Sequence, residues 1–251
     1  MLDYLLLASC LAALAMSAVV LHKVRRIHQT SYAIAEDAAA ARREAEALYG
    51  QWQATELLRH ALELSAPMPA MRGWAGSPDF LLHVARAVRQ RRPRAMLECS
   101  SGVSTLVAAR CLQLNGQGHV WSLEHDAHYA ERTRELLREH GLQDWATVLV
   151  APLTSRDGEA PWYDERALPA ELAEVGLLVV DGPPESTAPM ARAPALARLR
   201  TRLARGAEIY LDDAGRDAER ATVAAWLAND PTLKTRSLPA EKGLVVVTLP
   251  S

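Results

Sequence analysis

Two acids flank a short polar turn in the middle of the chain, and their order suits a nucleotide. Glu98 ends the apolar run Ala95-Met96-Leu97 and is followed by Cys99-Ser100-Ser101-Gly102-Val103-Ser104-Thr105, after which Leu106 to Leu114 is helical in pattern. A second apolar run, His119 to Leu123, delivers Glu124 and Asp126. In a parallel α/β sheet a ligand lies across the carboxyl ends of the strands, where a small-residue turn lets the backbone approach and the next helix offers free N–H groups. A carboxylate after the second strand can then accept hydrogen bonds from both hydroxyls of a ribose. Further along, Asp181 ends the run Val175 to Val180, and Asp212-Asp213 follow Ile209-Tyr210-Leu211. Three carboxylates at the ends of adjacent strands form an oxygen-rich set suited to a hard divalent cation such as Mg²⁺. The alternative is that Asp212 and Asp213 cap the following helix.

The elements that must position these acids are readable around them. Ser77 and Pro78 open a helix to Gln90, as an N-cap and a first-turn proline. Arginines 86, 89, 91, 92 and 94 crowd its end, where cations favour the helix dipole. The turn before it runs from Trp74 to Asp79. Asp126 begins a helix to His140 with Gly141 suited to its C-terminal cap, and Ala146 to Val150 is a third strand. Leu153 to Ala173, with Trp162 and Tyr163, is irregular and borders the pocket. Val175 to Val180, wholly apolar, is a fourth strand covered on both faces. Thr187 to Arg205 reads as a helix closed by Gly206, and Ile209 to Leu211 as a fifth strand. A helix from Asp217 to Leu227 and a strand pair, Leu233 to Leu238 and Gly243 to Leu249, complete about seven strands.

These residues resemble a family. Residues 98–105, Glu-Cys-Ser-Ser-Gly-Val-Ser-Thr, resemble the acid-x-Gly-x-Gly motif of class I S-adenosylmethionine-dependent methyltransferases, and Ser-Leu-Glu-His-Asp (122–126) resembles their ribose-binding acid. The likeness continues through Val180-Asp181-Gly182-Pro183-Pro184 and Leu211-Asp212-Asp213-Ala214-Gly215-Arg216, and covers residues 74–251. It implies an α/β, Rossmann-like, seven-stranded and mostly parallel sheet with an antiparallel last strand, and S-adenosylmethionine as cofactor. Glu98 would orient the amino-acid end of the cofactor, Ser100, Ser101 and Gly102 would line it, and Glu124 would bind its ribose. Asp181 is the expected catalytic residue, at the sheet edge where the methyl should point. A partial likeness to cation-dependent O-methyltransferases makes Asp181, Asp212 and Asp213 the metal candidates. Those enzymes often carry a lysine shortly after the first acid, whereas Gly182-Pro183-Pro184-Glu185 follows Asp181. Ser100 replaces the first glycine of the family loop, so the backbone there is expected to avoid conformations that only glycine tolerates.

The N-terminal part has a different character. Leu5 to Leu21 carries no charge and precedes His22-Lys23-Val24-Arg25-Arg26. With its flanks it just reaches the length needed to cross a hydrocarbon core of about 30 Å. The cations follow the apolar run, which reads as an uncleaved single-pass anchor with the rest of the chain in the cytoplasm, against a cleaved signal peptide. Val24 to Trp52 is rich in Ala, Glu and Arg, and Ile27, Ile34, Ala41 and Leu48 recur every seven residues. That seam serves either as a homodimeric coiled coil or as a solvated stalk. The expected organisation is an anchor over 1–22, a helical stalk over 23–66 and a methyltransferase-like domain over 67–251. A net charge of −2 and a pI near 6.5 disfavour nucleic acid as a partner. Cysteines 10, 99 and 111 form no disulfide framework. The acceptor would be a small molecule or lipid-linked compound. The competing readings are a nicotinamide-dependent oxidoreductase, which normally needs Gly-x-Gly-x-x-Gly where 100–105 supply one glycine, and a non-catalytic membrane scaffold.

Overall fold

The computed structural model describes residues 1–64, 66–71, 73, 75–155 and 160–251, without the side chains of residues 2, 3, 5, 43 and 44. Trp74, which opens the turn expected before residue 78, and residues 156–159 of the expected irregular segment lie outside the described residues. The chain forms two compact units, Met1–Gly50 and Gln51–Ser251. Helix α1, Leu2–Leu62, contributes to both.

In the first unit α1 is long and apolar enough to cross a membrane: its most apolar 18-residue window has a mean hydropathy of 1.8 and none of it is buried. Leu11, Leu14, Val19 and Val20 are among its exposed apolar side chains. In the second unit the last turns of α1 bury Ala54, Leu58 and Leu62 in the domain core. Residues 51–62, assigned to the stalk on sequence, therefore pack as part of the compact domain.

Seven strands form one sheet: β1 Ala95–Cys99, β2 His119–Glu124, β3 Ala146–Val150, β4 Val175–Val180, β5 Leu203–Leu211, β6 Lys234–Leu238 and β7 Leu244–Thr248. Their spatial order is β3-β2-β1-β4-β5-β7-β6. The first five are parallel, and β7 lies antiparallel between β5 and β6. Side chains alternate between two cores, as the period of two requires. Met96, Val120, Leu177 and Val179 face one side with α2 Pro78–Arg91, α3 Val103–Asn115 and the end of α1. Leu97, Cys99, Leu178 and Val180 face the other, with α5 Pro194–Leu199 and α6 Asp217–Asn229. Helix α4, Ala127–Glu139, is capped by Asp126, which accepts hydrogen bonds from the N–H groups of His128 and Tyr129.

Register brings the acids level. Cys99 pairs with Leu123 and Val180, and Val180 with Leu211. The next residue of each strand end, Ser100, Glu124, Asp181 and Asp212, therefore leaves the sheet along one edge. The N–H groups of Ser100, Asp181 and Asp212 continue the ladder to Leu123, Cys99 and Val180 at 2.9, 3.1 and 3.1 Å.

The expected helix from Thr187 to Arg205 is not continuous. A 3₁₀ turn at Glu185–Thr187, the short α5 and another 3₁₀ turn at Arg200–Arg202 replace it, and β5 begins at Leu203. Gly206 lies inside β5 at φ 67, within a bulge that shifts the β4–β5 register. Pairing of Leu203 with Val175 has overridden the helical preference of Ala, Leu and Arg there.

Candidate functional site

The turn after β1 adopts a conformation that its sequence disfavours. Ser100 has φ 120 and Gly102 φ 141, so Ser100 does take up the glycine-like backbone it was expected to avoid. Such a non-glycine residue costs of order 1–3 kcal/mol and persists only where its surroundings over-determine it. The surroundings here are tight. A Cβ on Gly182 would sit 2.3 Å from the Tyr163 hydroxyl oxygen and 3.2 Å from Ser100 Cβ, so Gly182 leaves the room that the Ser100 side chain occupies. Gly182 follows Asp181 directly, so this contact packs the ends of β1 and β4 together.

Glu98 is fully buried beneath the turn. The hydroxyls of Thr105 and Ser122 both donate to its Oε2, at 2.6 and 2.7 Å. Its Oε1 has no partner of good hydrogen-bond geometry among the described residues, although the Ser104 hydroxyl also acts on this carboxyl and lowers its pKa. Burial pushes the Glu98 pKa up against these hydrogen bonds. A buried oxygen of this kind calls for a donor, and a ligand ammonium would supply one. Glu124 is buried too, and its Oε2 accepts from Ser101 Oγ at 2.9 Å while Oε1 accepts from the Asp126 N–H at 3.0 Å. His125 Nδ1 lies 3.1 Å from the same Oε1. Burial pushes the Glu124 pKa up, but these hydrogen bonds outweigh it and hold the carboxyl below its ordinary value. Glu124 is thus an ionised acceptor, as a ribose diol requires.

A cavity of about 560 Å³ opens over the turn, lined by Ser100, Ser101, Gly102, Ser104, Thr133 and Asp181 among others. The adjoining cavity of about 420 Å³ is lined by Asp181, Ser186, Arg192, Asp213, Arg216 and Lys242 among others. Asp181 borders both.

The second cavity is lined by two of the three acids, Asp181 and Asp213. One carboxylate oxygen each from Asp181, Asp212 and Asp213 lies within 4.8 Å of the others. Helix α6 starts at Asp217 with Arg216 in the N-cap position, so neither Asp212 nor Asp213 caps it. A residue that the sequence did not single out joins them. The buried Arg192 guanidinium donates to Asp213 Oδ2 at 2.7 Å and to the Asp212 carbonyl at 2.9 Å, and reaches Asp181 Oδ1 at 3.4 Å. Glu219 from α6 lies 3.7 Å from its Nε, and Arg216 pairs with Asp213 at 3.0 Å. Arg192 is one of many arginines on the β4–β5 connection, and no spacing marks it; only the way that connection folds back over the strand ends does.

Charge in this cluster is incompletely matched. Five carboxylates, Asp181, Asp212, Asp213, Glu219 and Glu185, face three cations, Arg192, Arg216 and Lys242. Both carboxyl oxygens of Asp212 and Oδ1 of Asp213 are buried without a partner of good geometry among the described residues, the Asp213 N–H alone acting weakly on the Asp212 carboxyl. Burial pushes Asp181 up to about 7, with Arg192 opposing and Asp213 adding to the shift. Burial, with the neighbouring Asp181 and Asp213, pushes Asp212 up to about 8. Hard oxygens gathered this closely, with two of their carboxyls held protonated into the neutral range, fit a divalent cation that would displace the protons.

The seven-stranded sheet with helices on both faces is the Rossmann-like fold of methyltransferases. Residues 97–214 match the family described as "Methyltransferase domain". That match spans a little under half of the chain, which resembles class I S-adenosylmethionine-dependent methyltransferases. The chain is 30% identical over 111 residues to a protein-L-isoaspartate O-methyltransferase of Ignicoccus hospitalis, a match covering 44% of this chain. It spans about half the length of that relative, 52%. Among solved structures, it resembles an SAH-bound methyltransferase of Podospora anserina, with TM-score 0.56, 16% identity and coverage of 80% of this chain and 88% of the other. It also resembles a methyltransferase of Geobacter sulfurreducens, with TM-score 0.54, 16% identity and coverage of 82% and 97%. A third likeness is the O-methyltransferase TomG of Streptomyces achromogenes in complex with SAM, with TM-score 0.52, 18% identity and coverage of 80% and 89%.

Proposed function

We propose that the protein is a membrane-anchored, S-adenosylmethionine-dependent O-methyltransferase whose acceptor, a small molecule or lipid-linked compound, occupies the cavity of Ser186, Arg216 and Lys242. The observation that carries this reading is the position of Asp181 between the cavity over the turn and the cavity over the acids. Methyl transfer needs donor and acceptor aligned and close, and a residue that faces both can orient the acceptor against the methyl.

In this reading Glu98 Oε1 accepts from the cofactor's ammonium, Ser100 to Gly102 bring the backbone close to its amino-acid end, and Glu124 holds the ribose hydroxyls. When bound, S-adenosylmethionine supplies an electrophilic methyl: the acceptor oxygen's lone pair forms the O–C bond, the C–S pair stays on sulfur, and the hydroxyl proton leaves to solvent. Asp181, Asp212 and Asp213 would hold a divalent cation such as Mg²⁺, which when bound lowers the pKa of an acceptor hydroxyl. A second reading leaves Arg192 as the resident cation, because it already bridges Asp181 and Asp213. Asp181 then orients the acceptor alone.

The apolar run and the cations after it support an anchor that leaves the domain on the cytoplasmic side, and the heptad seam supports a homodimer through residues 24–52. The single glycine of the 100–105 turn and the family match favour the methyl donor over a nicotinamide. The test is transfer of radiolabelled methyl from S-adenosylmethionine to lipid and small-molecule extracts, with EDTA or Mg²⁺ added. Label that enters a product only with Mg²⁺ supports the cation reading, and label indifferent to EDTA supports Arg192 alone. No product from any extract would favour the scaffold.

A further inference from the structure

The chain meets nearly all its needs for positive charge with arginine. Of 28 Lys and Arg residues only Lys23, Lys234 and Lys242 are lysines, and Lys242 lines the cavity over the acid cluster. Its place is built from several sides. The Gly215 N–H donates to the Lys242 carbonyl at 2.9 Å, and the Ala214 N–H to the Gly243 carbonyl at 3.0 Å. Gly243, at φ 81, lies so near that a Cβ there would be 2.4 Å from the Gly215 nitrogen. From α2, Asp79 accepts the Glu241 N–H at 2.7 Å, and His83 Nε2 meets the Pro239 carbonyl at 2.9 Å. The β6–β7 turn is thereby fixed to the segment that follows Asp212-Asp213. Among the described residues, the Lys242 ammonium has no hydrogen-bond or ion-pair partner. Its charge nonetheless acts on Asp181, opposing the rise in that acid's pKa.

We propose that Lys242 is the residue that receives the acceptor's reacting oxygen, donating a hydrogen bond that favours the ionised hydroxyl beside Asp181. The assignment rests on the reading of this cavity as the acceptor site. A compact ammonium suits the task better than an arginine. The planar guanidinium fork pairs readily with carboxylates, and in this cluster Arg192 and Arg216 are both engaged by acids already. Lysine keeps a point charge on a flexible stem and leaves it for the ligand.

The test uses the full chain in detergent with S-adenosylhomocysteine, and 4-nitrocatechol as probe, since its visible absorbance separates ionised from neutral forms. The probe is read at a pH below its own ionisation, with and without Mn²⁺. Wild type should bind it largely ionised, and Lys242→Met should lower the bound ionised-to-neutral ratio about tenfold or more, as loss of a nearby opposite charge moves a pKa by one unit or more. Affinity for S-adenosylhomocysteine should not change, which shows the variant folded. Lys242→Arg should recover part of the ratio. An unchanged ratio in Lys242→Met, a Lys242→Arg no better than it, or failure of wild type to bind the probe would overturn the assignment. A Lys242-dependent ratio that is indifferent to Mn²⁺ would leave Lys242 in place and remove the cation from the proposed function.

Discussion

Ser101 Oγ donates to Glu124 Oε2 at 2.9 Å, tying the turn after β1 to the acid that ends β2. The same hydroxyl lies 3.0 Å from Thr133 Oγ1 on α4, so three elements meet at one oxygen. Ser101→Ala removes one charge-assisted hydrogen bond from a buried carboxylate, worth about 1.5–3 kcal/mol. It should weaken S-adenosylmethionine binding by about tenfold with the fold intact, measured by calorimetry beside far-ultraviolet circular dichroism. Unchanged affinity would separate the turn from the ribose acid.

The backbone at Ser100 makes a second prediction. Glycine tolerates φ 120 where serine is strained. Ser100→Gly should therefore raise stability by about 1 kcal/mol, the strain of about 1–3 kcal/mol less the entropy that glycine adds to the unfolded chain. Urea denaturation measures this, and a destabilised variant would show that the Ser100 side chain contributes more than its backbone costs.

The acid cluster reverses the usual pH dependence of a carboxylate. Burial, with the mutual repulsion of the acids, pushes Asp181 up to about 7 and Asp212 up to about 8, above the ordinary value of 3.8. Between those values the folded state holds protons that the unfolded chain has released, so stability falls as pH rises from about 4 to about 8. A divalent cation held by these acids, as proposed, would replace the protons. The melting temperature should therefore drop from pH 5.5 to pH 8 in EDTA, and Mg²⁺ should restore it at pH 8 far more than at pH 5.5. Equal effects of Mg²⁺ at both pH values would argue against these acids as ligands.

Much of this site was legible because each acid ends an apolar run, and a run of that kind in an α/β pattern is a strand whose last residue reaches the ligand edge. Glu124, Asp181 and Asp212 share that signal and strand register brings them level, while Glu98 lies just inside β1, opposite Ser122 and Val179. Arg192 and Lys242 carried no such signal. They enter from connections whose path depends on contacts distant in sequence, such as Gly215 against Gly243. The Thr187–Arg205 segment misled for a related reason: its residues favour helix locally, while strand pairing decides from Leu203 onward.

The end of α1 bears on any truncation. Ala54, Leu58 and Leu62 are buried in the domain core, and a buried leucine contributes about 1.5–3 kcal/mol. A chain starting at Gln51 should be soluble and fully folded, whereas one starting at Ala66 should be destabilised by several kcal/mol, read from thermal melting. The full chain should sediment with membranes and resist carbonate extraction. Release of the full chain by carbonate would contradict the anchor.

The most direct measurement is calorimetric titration of the full chain in detergent with S-adenosylmethionine and, separately, with NAD. One saturable site for S-adenosylmethionine is predicted, weakened about tenfold to a hundredfold in Glu124→Ala, with no heat from NAD. A folded protein that binds NAD, or that binds S-adenosylmethionine equally well without the Glu124 carboxylate, would contradict the account.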